Sequence, residues 1–299
     1  MDFNLISRPE KGEFIAMSTS ANHSTDVLRE WRESATFWHK HYPTIRTMFA
    51  PVTKALIETA KIIEGDVVLD VAGGSGEPSL TIAELIRPRG LVTCTDAVAD
   101  MVAAAKAEAE QRGLLNIEFR QCLADSLPFE KHTFDATVCR LGVMFFPDVP
   151  AALREMIRVT KSEGAIAFAV WGRSEVNPFG YLVTNVLSQY IEIPPAPSDA
   201  PGAFRFAEPG KLSSMLSEAG VAQVRDRLLN FRIEAPLNAE QFWEMRSQTS
   251  GTLREKLANL PAEQAEKIRL DVLDAVQEFF PNGQMSFPAE MLIVSGHVR

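Results

Sequence analysis

Apolar positions along the chain alternate between two rhythms. Short, nearly continuous apolar or β-branched runs at 67–71, 91–95, 117–121, 134–139 and 165–171 are separated by stretches in which apolar residues recur every three or four positions. The first rhythm marks strands buried on both faces, the second marks helices with one buried stripe. Strand and helix alternating five times predict an α/β fold with a doubly wound, mostly parallel sheet. A sixth strand is expected within 221–233 and a seventh at 290–298, where Met291, Leu292, Ile293 and Val294 run together.

The helices between the strands carry their own punctuation. One is expected at 79–86, ended near Pro88 and Gly90, and one at 97–112, with Val98, Met101, Val102 and Ala105 inward and Gly113 as its stop. Asp148 and Pro150 open another, with Leu153, Met156 and Ile157 inward. Helices at 179–190 and 209–219 follow, the latter capped by Gly220.

Outside this core the pattern predicts covers. Residues 25–63 read as helical, with Trp31, Ala35, Trp38 and Tyr42 in one stripe, either a core face or a lid. Residues 172–209 lose periodicity where Pro194, Pro195, Pro197 and Pro201 gather, as in a movable cover. A helical insertion at 236–288 carries Phe242, Trp243, Met245, Leu253, Ile268, Val272 and Phe279; it either completes the core, makes a homodimer contact, or walls an acceptor pocket. The polar, mixed segment 1–24 reads as a loose arm without a signal peptide.

Composition narrows the class. With 46% apolar residues in 299 the chain can bury a full core, and no apolar run approaches the roughly 20 residues of a membrane span. A net charge of −9 argues against a general nucleic-acid surface. Cys94, Cys122 and Cys139 lie far apart inside or beside apolar runs, as small hydrophobes in a reducing, cytoplasmic setting. His39 and His41, two apart on a helix, do not share a face, so no metal site is expected.

The candidate chemistry centres on 67–78, V-V-L-D-V-A-G-G-S-G-E-P, a buried strand running through Gly73, Gly74, Ser75 and Gly76 into a helix. Glycines permit positive φ and let a ligand approach the backbone, and a helix N-terminus favours negative charge. A P-loop is excluded because no lysine follows the turn, and Ser79 stands where the dinucleotide fingerprint has its third glycine. Asp96 closes the second strand, 20 positions beyond Gly76, where a carboxylate can hold both ribose hydroxyls or cap the next helix. Arg140, at the end of the fourth strand, reads either as a partner for a ligand carboxylate or as a structural ion pair.

Asp70, Ala72, Gly74 and Gly76 fill the pattern acidic-x-small-x-Gly-x-Gly. Here the chain resembles the class I S-adenosylmethionine-dependent methyltransferases, in particular the small-molecule group related to the ubiquinone/menaquinone-biosynthesis enzymes. Most members have Gly where this chain has Ala72. The segment Cys122–Phe129 resembles the family's G-D-A-x-x-L-P-F, with Leu123 in place of the aspartate that holds the adenine amino group. Either Asp125 reaches in, or backbone groups around Ala124 read the base.

The resemblance implies S-adenosyl-L-methionine as cofactor, held by Asp70, Ala72, Gly73, Gly74, Gly76, Asp96, Ala97, Met101, Ala124, Asp125 and Arg140, and an antiparallel seventh strand. It implies transfer of a methyl group to a small, apolar or aromatic acceptor. No catalytic residue is singled out; His41, Tyr42 or a carboxylate of the insertion are candidates if the acceptor must lose a proton. An NAD-type oxidoreductase and a cofactor-binding protein without transfer activity remain as alternatives.

Overall fold

A computed structural model describes residues 27–193, 197 and 199–299. The expected arm at 1–24, and Pro194 and Pro195 of the proline-rich cover, lie outside the described residues. Seven strands form one sheet in the order β3-β2-β1-β4-β5-β7-β6. They are β1 (Val67–Val71), β2 (Leu91–Asp96), β3 (Ile117–Gln121), β4 (Phe134–Arg140), β5 (Thr160–Trp171), β6 (Ala222–Ala235) and β7 (Met285–His297). β1 to β5 pair in parallel, whereas β7 runs antiparallel between β5 and β6. This is the doubly wound, mostly parallel sheet that the alternating pattern predicts.

The order follows from burial. Val68, Leu69, Val138, Ile166, Ala167 and Phe168 are fully buried in the central strands, so helices must cover both faces. The edge strands β3 and β6 alternate with exposed charged residues such as Glu118, Arg225 and Arg227, which suits strands with one unpaired side. β7 begins at Met285, five residues before the expected start. Residues 285–290 pair with β6 alone, from Met285↔Ala235 to Glu290↔Asn230, while β5 pairs only from Met291 onward. Pro288, which cannot donate to a ladder, sits in that one-sided portion. The expected insertion at 236–288 therefore gives up its last four residues to the sheet.

The helices are α1 (27–40), α2 (Tyr42–Met48), α3 (Ala50–Ala60), α4 (Ser79–Ile86), α5 (Ala99–Gln111), α6 (Val149–Val159), α7 (Pro178–Leu187), α8 (Lys211–Glu218), α9 (Ala239–Thr249), α10 (Gly251–Ala258) and α11 (Ala262–Ala275). The helical stretch expected at 25–63 is broken in two places. Pro43 and Pro51 lack the N–H that a helix interior needs, and each opens a new helix within its first two positions.

The breaks let one segment serve two surfaces. α2 and α3 pack on the sheet through β5, β6 and β7, while α1 lies elsewhere, with Trp31, Ala35 and Trp38 on Val98 and Met101 of the β2-to-α5 corner. In the insertion, Phe242, Met245, Leu253, Ile268 and Val272 are buried in the main core, so its inner face completes that core.

Candidate active site

The glycine-rich turn leaves the end of β1 over the corner between β1, β2 and β4. Asp70, the strand's last residue but one, is fully buried; its Oδ2 accepts from the Ser79 Oγ at 2.6 Å and from the Ser79 N–H at 3.2 Å. Asp70 thus ties the start of α4 back beneath the turn. Its Oδ1 is buried without a partner, and burial pushes the carboxyl up to about 7.

The backbone of the turn needs small residues. Ala72, Gly74 and Gly76 have φ of 58°, 56° and 117°. A Cβ on Gly73 would come within 2.7 Å of Cys94 Sγ and 2.8 Å of Asp70 Oδ2, so only glycine lets the turn lie this close to the strand ends. Gly74 is the opposite case, with nothing within 4 Å of where a Cβ would stand. Open space therefore adjoins the turn at that point.

Asp96 ends β2, half-buried, and faces this turn. Its Oδ2 accepts from the Gly74 N–H at 3.0 Å and its Oδ1 from the Val98 N–H at 2.9 Å, which joins turn and α5 corner through one carboxylate. Burial raises its pKa against the opposing effect of these N–H donors. Ala97 is half-buried beside it, and Met101 is buried under α1. Ala124 is half-buried, while Asp125 and Leu123 are exposed on the connection from β3 to β4.

Arg140 closes β4 on the other side of β1. One Nη donates to Thr53 Oγ1 of α3 at 2.8 Å, while its Nε is buried without a partner. Burial lowers its pKa, and Glu77 and Asp70 act in the opposite direction. The structure thus brings Asp70, Ala72, Gly73, Gly74, Gly76, Asp96, Ala97 and Arg140 to the carboxyl ends of three neighbouring strands, the side on which open α/β sheets take ligands. Met101 stands one helical turn further on, and Asp125 lies at the rim.

Other contacts were not read from sequence. Glu77, which follows the turn, is buried and accepts from Tyr42 Oη at 2.7 Å and Thr81 Oγ1 at 2.7 Å. Arg112, the C-cap of α5, donates to the same tyrosine oxygen and lies 3.3 Å from Glu77, with Arg46 at 3.4 Å. The charge on Glu77, directly after the glycines, was a signal; Tyr42 and Arg112 had none, because they come from 35 residues on either side. Tyr42 is held by this network and burial drives its pKa far above the ordinary value, so it is unsuited to take a proton. His41 is engaged with Gln248 Oε1 at 2.8 Å.

Aromatic side chains cluster next to the ends of β4 and β5. Trp31 of α1 meets Phe145 edge-on at 5.2 Å, just beyond β4. Trp171, at the end of β5, stacks on Phe179 at 6.3 Å and lies edge-on to Phe49 at 5.9 Å. The loop carrying Phe204 tucks against the same group, with Gly202 N–H donating to Met144 O at 3.1 Å.

Comparison with known proteins bears on the family and the fold. Residues 52–195, a little under half of the chain, match the model of the ubiE/COQ5 methyltransferase family. An uncharacterized protein of Mycobacterium tuberculosis is 36% identical over 124 residues, covering 42% of this chain and 44% of that one. A ubiquinone/menaquinone biosynthesis C-methyltransferase of Xanthomonas oryzae is 37% identical over 109 residues, covering 36% and 43%. The chain thus spans less than half the length of these curated relatives. The YcgJ protein of Bacillus subtilis shares the fold, with a TM-score of 0.54 at 23% identity over 83% of this chain and 97% of that one.

Proposed function

On the premise that residues 52–195 form a ubiE/COQ5-type methyltransferase core, we propose that the chain transfers a methyl group from S-adenosylmethionine to a small, apolar or aromatic acceptor. The observation that carries this reading is the placement of Asp96 on the Gly74 amide with Arg140, its Nε buried and unpartnered, two strands away.

The residues present fit the cofactor. The Asp96 oxygens accept backbone N–H groups from Gly74 and Val98 and keep lone-pair capacity for ribose hydroxyls. The Arg140 guanidinium, fixed at one end by Thr53, pairs with the methionyl carboxylate. Gly73, Gly74 and Gly76 let the ligand lie on the turn, shaped by Ala72 and anchored from beneath by Asp70. Ala97 and Met101 pack on the adenine, and its amino group is read by Asp125 or by the backbone around Ala124.

When bound, the cofactor supplies a methyl group on a positively charged sulfur, already a good electrophile. The chain's own part is to orient the acceptor and exclude water, which α1, Phe145, Trp171 and the loop of Phe204 do with apolar surface. The acceptor is a free small molecule, and the reading places the reaction in the cytoplasm; no described helix is long and apolar enough to cross a membrane.

Calorimetric titration with S-adenosylhomocysteine, with NAD in parallel, tests the reading. Wild type binds the homocysteine nucleoside and not NAD, and Asp96→Ala weakens that binding by roughly 1–3 kcal/mol, the range for a lost charge-assisted hydrogen bond. Binding of NAD instead would put an oxidoreductase first. Homocysteine-nucleoside binding with no turnover on a broad acceptor screen would leave a binding protein.

A further inference from the structure

The helical insertion carries a cation that the fold leaves without a counter-charge. Arg246 lies on α9 one turn after Phe242, so the two share the inward face of that helix. Its guanidinium sits over the Phe179 ring, 4.8 Å from the centroid, and its Nε is closed off from solvent with no hydrogen-bond partner. Burial alone acts on its pKa, pulling it down to about 10; no carboxylate among the described residues opposes that effect.

Three other arginines among the described residues are paired with carboxylates. Arg269 bridges Glu240 and Glu266, Arg158 holds Glu155, and Arg112 holds Glu77 and Glu108. Ion pairing contributes least at an exposed site such as that of Glu240 and matters most where a charge is desolvated. At Arg246 the order is reversed.

The position of Arg246 ties it to the proposed site. Phe179, on which it rests, stacks on Trp171 at the end of β5. β5 lies beside β4, with Ala169 opposite Arg140. Phe49 lies edge-on to both Trp171 and Phe179, and α3, which follows it, presents Thr53 to Arg140. An aromatic wall therefore runs from the cofactor-side arginine to Arg246, with one cation at each end.

We propose that Arg246 is the specificity-determining residue of the acceptor site, and that the acceptor bears a carboxylate on an aromatic or otherwise apolar body. The inference rests on the methyltransferase reading. A guanidinium keeps its charge when buried and presents a planar fork of donors that matches a carboxylate, while Phe179, Trp171 and Phe49, packed on one another beside it, make the surroundings apolar and so suit an apolar body. The ligand's charge then completes what the free protein lacks.

The test uses the full chain saturated with S-adenosylhomocysteine, titrated with benzoate, 2-naphthoate and indole-3-carboxylate and with the amide of each. Wild type prefers at least one carboxylate over its amide by about tenfold or more, the scale of one charge-assisted hydrogen bond. Arg246→Met, which keeps the stem over Phe179, loses the preference, and Arg246→Lys retains part of it. Both variants bind S-adenosylhomocysteine within about twofold of wild type. Carboxylates and amides that bind alike, or none that bind, overturn the inference, as does a preference that survives in Arg246→Met. Failure of wild type to bind S-adenosylhomocysteine instead overturns the methyltransferase reading beneath it.

Discussion

Ala72 shows how a departure from a motif is absorbed. Its φ of 58° lies in the left-handed region, where a side chain costs roughly 1 kcal/mol relative to glycine. A Cβ on Gly142 would stand 2.6 Å from the Ala72 methyl, so Gly142 leaves the room that the methyl fills. The sequence shows both residues, but their contact joins the ends of β1 and β4, 70 positions apart. Asp70 gives a prediction at the same scale. Its folded pKa of about 7 lies above the ordinary 3.8, so between these values the folded state keeps a proton that the unfolded state has released. Stability therefore falls as pH rises through that window and is flat above it. Asp70→Asn cannot titrate, and its amide can still accept from Ser79. Measured by thermal unfolding, the variant should gain on wild type by on the order of 2 kcal/mol between pH 5 and pH 8; an unchanged gap would show that Asp70 is ionised throughout.

Elements are where the apolar pattern was most informative and where prolines corrected it. The stripe Trp31, Ala35, Trp38 and Tyr42 has helical spacing, yet Tyr42 belongs to a different helix from the other three. Pro43 and Pro51 were the visible signal, because a proline in a helix interior removes a hydrogen bond and clashes with the preceding turn. The break turns Tyr42 toward Glu77 and Arg112, so that α2, the glycine turn and α5 are joined by one buried network. Tyr42→Phe keeps the ring and deletes the hydroxyl that this network shares. Denaturant unfolding should show a loss of about 1–3 kcal/mol, as for a buried charged group deprived of a partner. A loss near zero would mean that Arg112 alone satisfies Glu77.

At the scale of the molecule, the insertion and the sheet are fastened by an aromatic cluster. Phe287 of β7 is fully buried and lies within 6 Å of the rings of Phe179, Phe242, Phe279 and Phe280. Phe287→Ala should cost about 3–5 kcal/mol, the range for truncating a large core aromatic, and melt as one transition if the insertion and sheet form a single core. Two transitions would show that the insertion folds separately. The wall proposed for the acceptor is built on this same cluster, which explains why its residues gave no local signal. Sequence by itself determined the course of the strands, their parallel winding, the glycine turn and the carboxylates Asp70 and Asp96 at the ends of β1 and β2, because local rhythm and adjacent residues encode them. Tertiary structure decided the rest: Thr53 beside Arg140, Tyr42 and Arg112 on Glu77, and Arg246 over Phe179. Each of those contacts joins residues 30 or more positions apart. Pairing at that distance depends on which faces meet when the sheet closes, and no spacing along the chain records it.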